Sequence, residues 1–149
     1  MKNRACCFAV ILMLALGCSG PTGLLPGGAL TGETRPVPTD WSFAGDSGTA
    51  QLETNPGEPY SVNLAYTVMD GIVYVNAGGT ETQWVKNMNA NPDVRLRVDG
   101  AIYPLRAERV SDRAEVEAFA KAWTGQSFFR RDPAKYDEVW IYRLVARAG

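Results

Sequence analysis

Residues 76–83 read Asn-Ala-Gly-Gly-Thr-Glu-Thr-Gln, followed by Trp84 and Asn87. A helix that opens here leaves its first backbone N–H groups unpaired, with the positive end of the helix dipole behind them. Gly78 and Gly79 would let an anion approach the main chain closely, so the stretch has the makings of a glycine-floored anion site. The same two glycines also suit a plain strand-to-helix turn, and Trp84 a core anchor. The sequence contains no histidine. Ser-His and Cys-His nucleophile pairs, the usual zinc sites and histidine-ligated haem are therefore excluded. Chemistry at such a site would have to come from a bound molecule, and no metal is expected.

Short strands must position this loop. Residues 48–54 alternate weakly. Residues 60–68 alternate strictly, with Tyr60, Val62, Leu64, Tyr66 and Val68 on one face and Ser61, Asn63, Ala65 and Thr67 on the other. Asp70-Gly71 is a hairpin signal into Ile72–Ala77, a strand apolar on both faces and so expected to be central. Residues 94–98 bury Val94, Leu96 and Val98 and turn Arg95 and Arg97 outward. Asp99-Gly100 leads into residues 101–110, where Pro104 signals an edge or a bulge. Residues 138–147 form the last strand. One helix is expected from Thr80, capped with Gln83 in a capping box, to about Ala90, where Asn91-Pro92 stops it; Trp84 and Met88 share a face. A second opens at Ser111 or Asp112, with Glu115 completing a box, and ends near Gly125. It carries the core stripe Val116, Phe119, Ala120 and Trp123. Phe128-Phe129-Arg130-Arg131-Asp132-Pro133 reads first as a loop packing two aromatics under solvated charges, with a lid or a dimer contact as alternatives. Six strands and two helices imply a small β-barrel or half-barrel with helices over its openings.

The chain's beginning reads differently. Lys2 and Arg4 precede an apolar run from Ala5 to Leu16, shorter than the roughly 20 residues a spanning helix needs. Ala15-Leu16-Gly17-Cys18 resembles a bacterial lipobox. Residues 1–17 are thus expected to be a lipoprotein signal peptide. Cys6 and Cys7 leave with it, and Cys18 carries diacylglyceryl and N-acyl (palmitate-type) chains that hold the protein on a membrane. The mature body then has no free thiol and no disulfide. Its formal charge falls from −1 to −3, because only the two cations Lys2 and Arg4 are lost. That acidity excludes a nucleic-acid partner and leaves the lipid as the anchor. Ser19 in place of aspartate fits onward sorting to an outer membrane in a two-membrane cell envelope, outside the cytoplasm. There is no twin arginine, so export is expected in the unfolded state, without a noncovalent cofactor. Residues 18–40, rich in Gly, Pro and Thr, read as a flexible tether, and residues 41–149 as the folded domain.

From Pro59 to Val110 the chain resembles the split β-barrel flavin- and deazaflavin-binding superfamily, which includes the pyridoxamine-phosphate oxidases, and within it the deazaflavin-dependent nitroreductase branch. The residues that carry the likeness are DGIVYV (70–75), the glycine loop 76–83, Trp84-Val85-Lys86-Asn87, Asn91-Pro92 and VRLRV (94–98). The resemblance implies a mainly β (α+β) six-stranded split β-barrel with two helices, a habit of homodimerisation, and FMN or a deazaflavin coenzyme. It further implies that Gly78, Gly79, Thr80, Thr82 and Gln83 hold the coenzyme's phosphate. Asn76 would sit at the pocket mouth, Trp84 and Asn87 would brace it, and Asn63 and Thr67 would lie nearest the ring. The loop carries Glu81 and no cation; Lys86 lies a turn and a half into the helix, and Arg106, Arg130 and Arg131 can reach it only through the tertiary fold. The implied activity is that of a flavin- or deazaflavin-dependent oxidoreductase. The alternatives are a binding module for a small anionic or aromatic ligand, and a structural lipoprotein with a vestigial site.

Overall fold

Alternation and hairpin chemistry close the strands on themselves. The computed structural model describes residues 20–148; Lys2, Arg4, Cys6, Cys7, Cys18 and the rest of the expected signal peptide lie outside them. Along the chain come β1 (Glu33–Thr34), a 3-10 turn (Ser42–Ala44), β2 (Ser47–Thr54), β3 (Tyr60–Met69) and β4 (Ile72–Ala77). Then follow α1 (Gln83–Ala90), β5 (Asp93–Val98), β6 (Ala101–Arg109), α2 (Arg113–Gly125) and β7 (Trp140–Ala146). The sheet order is β1-β6-β5-β2-β3-β4-β7, and β6 also pairs with β7, so β2–β7 form a closed six-stranded antiparallel barrel. β1 adds in parallel outside β6. The expected mainly β barrel with two helices is what the chain forms.

Both Asp-Gly turns are built as anticipated. Asp70 and Gly71 (φ 50° and 73°), and Asp99 and Gly100 (48° and 82°), all lie in the left-handed region, whose twist matches that of the strands they join. The barrel interior is filled from alternate positions: Leu52, Val73, Val75, Val94, Leu96 and Leu105 are essentially solvent-free. Arg95 and Arg97 face outward toward Glu53 and Gln51. β6 is not a free edge. Pro104 stands where its outer side has left β1 (at 101–102) and not yet met β7 (at 105–109), a gap in the ladder where a residue without an N–H is tolerated.

α2 follows its sequence signals closely. Asp112 is the N-cap, accepting the Glu115 N–H at 2.9 Å, and Phe119 and Ala120 are buried, with Val116 and Trp123 partly so. This stripe lies on the outside of the barrel, against Met69, Ile72, Tyr74 and Ile141. α1 differs from its expected start. It begins at Gln83 with Thr82 as N-cap, and no side chain caps it. Thr80 and Glu81 are still in the turn, so the Thr80–Gln83 box does not form. Val85 and Met88 are its buried residues, and Trp84 packs half-buried on the barrel core. Asn91 ends the helix before Pro92, as expected.

Residues 20–40, read from composition as a flexible tether, are a strap fastened to the barrel. Gly27 and Ser61 exchange both backbone hydrogen bonds (2.9 and 2.8 Å), and Ser61 Oγ donates to Gly28 O at 2.7 Å. Arg35 N–H donates to Ile102 O, and Trp41 N–H to Gly71 O. Leu30 is buried, its N–H donating to Glu53 Oε2 at 2.6 Å while Arg95 bonds both its carbonyl (3.1 Å) and Glu53 Oε1 (2.7 Å). That bidentate ion pair raises the Arg95 pKa above the ordinary guanidinium value. Composition predicts looseness because no apolar period marks the segment; its fastening is through backbone groups instead.

Candidate functional site

β4 delivers the glycine loop. Val73 and Val75 point into the barrel, so Tyr74 and Asn76 point out, beneath the end of α2 and the segment that follows it. Asn76 and Gly78 line one wall of a cavity of about 290 Å³. Opposite them are Trp123 from the last turns of α2 and Phe129, Arg130, Arg131 and Val139 from the segment between α2 and β7. Among the described residues no trio of His, Cys, Asp and Glu gathers as a metal site would.

Arg130 gives this cavity its charge. Its guanidinium lies over the Trp123 ring, 3.8 Å from the centroid, and Nη1 donates to Gln126 Oε1. Among the described residues it has no carboxylate within ion-pair distance, unlike Arg131, which holds Glu138 at 3.0 Å. Burial lowers the Arg130 pKa from its ordinary value, since desolvation disfavours the charged form; a guanidinium still stays charged at neutral pH. A half-buried cation with no carboxylate partner among the described residues, set on an aromatic face, can receive an external anion. Glu81, the negative charge within the loop, points away to an exposed pair with Lys86 at 3.1 Å. Arg106 pairs with Asp93 on β5 and does not reach the loop.

The glycines fit the same reading. Neither Gly78 nor Gly79 has a positive φ, and a Cβ at either would meet nothing within 4 Å. Nothing in the chain itself needs glycine there; what glycine provides is a bare main chain facing open space. Thr82 Oγ1 donates to Gly79 O at 3.3 Å, which steadies the turn, and Thr80, half-buried, lies between them in the chain.

The other expected ligand residues are dispersed. Thr67 is buried on the outer face of β3 and reaches the cavity only through Gln126, whose amide nitrogen donates to Thr67 Oγ1 at 3.3 Å while its oxygen accepts from Arg130. Thr67 is thus a positioning residue for the guanidinium. Gln83 and Asn87 line a separate hollow of about 230 Å³ with Asn55, Glu58, Pro59 and Tyr60. There Gln83 Nε2 donates to Asn87 Oδ1 (2.8 Å), and Asn87 Nδ2 donates to Thr54 Oγ1 (3.0 Å), tying α1 to β2. Asn63 belongs to the strap, its amide donating to Gly23 O at 2.9 Å. Sequence reasoning held Arg130 and Arg131 open as tertiary contributors and Phe129 as part of a lid, and missed Trp123 as a cavity wall. Trp123 gave no separate signal because its helical spacing already marked it as core.

The chain's relatives agree with this architecture. Residues 54–132 match the family model of the F420H(2)-dependent quinone reductases, a span from the end of β2 through Arg130 and Arg131. No curated protein matches the chain. Among solved structures, the conserved hypothetical protein Rv2991 of Mycobacterium tuberculosis is similar at 21% identity, covering 75% of this chain and 82% of its own, with a TM-score of 0.56. A protein described as an F420 reductase is 19% identical and covers 75% of this chain and 97% of its own at a TM-score of 0.53. A NimC/NimA family protein of Clostridium acetobutylicum is 16% identical, covering 68% and 76% at 0.53. These likenesses show that the barrel fold is shared with those proteins. With the family's signature running over more than half of its length, the chain belongs to the F420H(2)-dependent quinone reductase family.

Proposed function

We propose that the protein is an oxidoreductase that binds the deazaflavin F420 at the Asn76–Gly78–Arg130 cavity and reduces a quinone-type acceptor there. The observation that carries this reading is Arg130: a guanidinium without a carboxylate partner, set over Trp123 and facing a bare glycine main chain. The residues suit a coenzyme made of a flat ring and a phosphate-bearing chain. Arg130 and the Gly78–Gly79 amides would hold the anion, Trp123 and Phe129 would offer aromatic surface to the ring, and Asn76 would supply a polar contact at the rim. When bound, the coenzyme supplies the hydride; the chain's task is to bind, orient and exclude water, and it needs no acid–base histidine for that. Thr67 and Gln126 keep the guanidinium in place.

We also infer that the protein is exported and held in the cell envelope by acyl chains on Cys18, on the outer membrane in a two-membrane host. Lys2, Arg4, the apolar run and the Ala15–Cys18 tetrapeptide support this reading. Export without a folded cofactor would make the protein acquire F420 outside the cytoplasm. A second reading, a binding module or structural lipoprotein without catalysis, draws on the dispersal of Asn63, Gln83 and Asn87 away from the cavity.

Titration of the signal-less protein with F420, followed by coenzyme fluorescence, tests the proposal, with FMN run in parallel. Saturable F420 binding that weakens roughly 10–100-fold in Arg130→Gln is the expected outcome, the loss of one charge-assisted contact. Preference for FMN would keep the site and change the coenzyme. Binding of F420 untouched by Arg130→Gln would refute the site.

A further inference from the structure

Four exposed apolar side chains, Leu24, Leu25, Phe128 and Phe129, lie on two segments tied to the outer face of β3 at two points. At Asn63 it holds a tight turn: Thr22 and Leu25 exchange both backbone hydrogen bonds (3.1 and 3.0 Å), and Gly23 takes φ +58° at its corner. That turn presents Leu24 and Leu25, 104% and 70% exposed. At Thr67 the strand holds Gln126, and with it the loop presenting Phe128 and Phe129, 106% and 97% exposed. The sequence reading that packed these phenylalanines inward is not what the chain does. Asn63 and Thr67 are four residues apart on the same face, about 13 Å. The strap runs from Gly27 at Ser61 to Gly23 at Asn63, so its tip points along β3 toward the phenylalanine loop.

The described residues begin beside this face. Gly20 packs so closely on Gly27 that a Cβ added to Gly27 would lie 2.1 Å from the Gly20 carbonyl carbon. Only Ser19 separates Gly20 from Cys18, a reach of about 7 Å. Because residues 20–40 are fastened to the barrel, a lipid on Cys18 would hold the fold directly against the bilayer.

We propose that the Leu24–Leu25 turn and Phe128 form a two-pronged lipid-docking surface that seats the outer face of β3 on the membrane carrying the Cys18 anchor. This rests on the lipoprotein reading given above. Phe129, next to Phe128, lines the Asn76–Arg130 cavity, so docking would set that cavity's mouth at the bilayer surface, where a lipid-soluble acceptor is concentrated. Insertion of such side chains into the headgroup and acyl boundary reaches about 5–10 Å.

The test uses the exported, processed full chain reconstituted in phosphatidylethanolamine–phosphatidylglycerol vesicles. With Cys18 acylated, Leu24→Cys, Phe128→Cys and Arg106→Cys each give a single thiol for an environment-sensitive fluorophore. Arg106 lies on the outer face of β6, across the closed barrel from β3. Probes at 24 and 128 are expected to shift to the blue and to be quenched by acyl-chain-labelled lipid, with the probe at 106 unaffected. Mass spectrometry of the same preparation reads acylation separately. Acylated protein whose probes at 24 and 128 behave like that at 106 would overturn the docking surface and leave the anchor standing. An unacylated Cys18 would overturn the lipoprotein reading and the proposal together. Blue-shifted probes that lipid does not quench, and that respond to protein concentration, would mean that a second copy covers this face, and would also overturn the proposal.

Discussion

Replacing Arg95 by methionine should cost the protein far more than the loss of a surface ion pair. The Glu53 side chain is only 6% exposed and depends on two partners, the Arg95 guanidinium and the Leu30 N–H. Methionine keeps most of the apolar stem but leaves the carboxylate without its counter-ion and Leu30 O without its donor. Removing one member of a fully buried pair costs about 3–5 kcal/mol. Arg95 is about a third exposed, so water would enter and soften the penalty to about 2–3 kcal/mol. For a domain of this size each kcal/mol is worth about 4 °C, which puts the fall in Tm at about 8–12 °C. Urea unfolding should show a lower midpoint with an unchanged slope. Hydrogen exchange should accelerate at the Leu30 and Ser61 amides, because the strap is fastened there. Adding Glu53→Gln to Arg95→Met should recover most of the loss, since the double variant no longer buries a charge. A decrease below about 0.5 kcal/mol, the range of exposed pairs, would refute the argument that this pair is what secures the strap.

Further outcomes follow from the same geometry. Gly27→Ala, which would force a methyl against the Gly20 backbone, should release the start of the strap while α2 keeps its native exchange protection. Gly79→Asp should leave the Tm unchanged, because the position is open, yet weaken F420 binding at least tenfold by setting a carboxylate in the anion's place; unaltered affinity would move the site elsewhere. Burial beneath α2, reinforced by donation to Glu115 at 2.9 Å, pushes the Tyr74 phenol up to about 12. Its folded value is above the free value of about 10, so the stability it contributes is whole below pH 10 and is lost as pH rises through 12. Melting curves between pH 9 and 12 should therefore fall less steeply for Tyr74→Phe, and parallel declines would refute the assignment.

What could be read from the sequence was what local rules govern. Asp70-Gly71 and Asp99-Gly100 fixed two hairpins, alternation at Val94, Leu96 and Val98 fixed an inner face, and Asp112 with Glu115 fixed a helix start. Thr80 with Gln83 obeyed the same rule and failed, because the chain leaves β4 through Gly78 and Gly79 and does not begin to coil until Gln83. The strap escaped notice for a different reason: its partners, Ser61, Glu53 and Ile102, are remote in sequence and are engaged through main-chain groups that leave no periodic trace. The polar face expected for β3 proved to be covered, with Ser61 under the strap and Thr67 under Gln126. The cavity's Asn76 and Gly78 were evident from the glycine loop, but its cation arrives from residue 130, after two strands and two helices. No local pattern could have announced that.

Closure of the barrel has a consequence for the chain's birth. Ile72–Ala77 and Ala101–Arg109 each keep one flank open until Trp140–Ala146 slots between them. A growing polypeptide therefore exposes one sticky border once residue 77 has emerged and a second once residue 109 has, and loses both only when residues 140–146 follow. Loss of residues 140–146 would leave a ribbon primed to join its neighbours, so this one strand decides whether the fold stays apart from its copies.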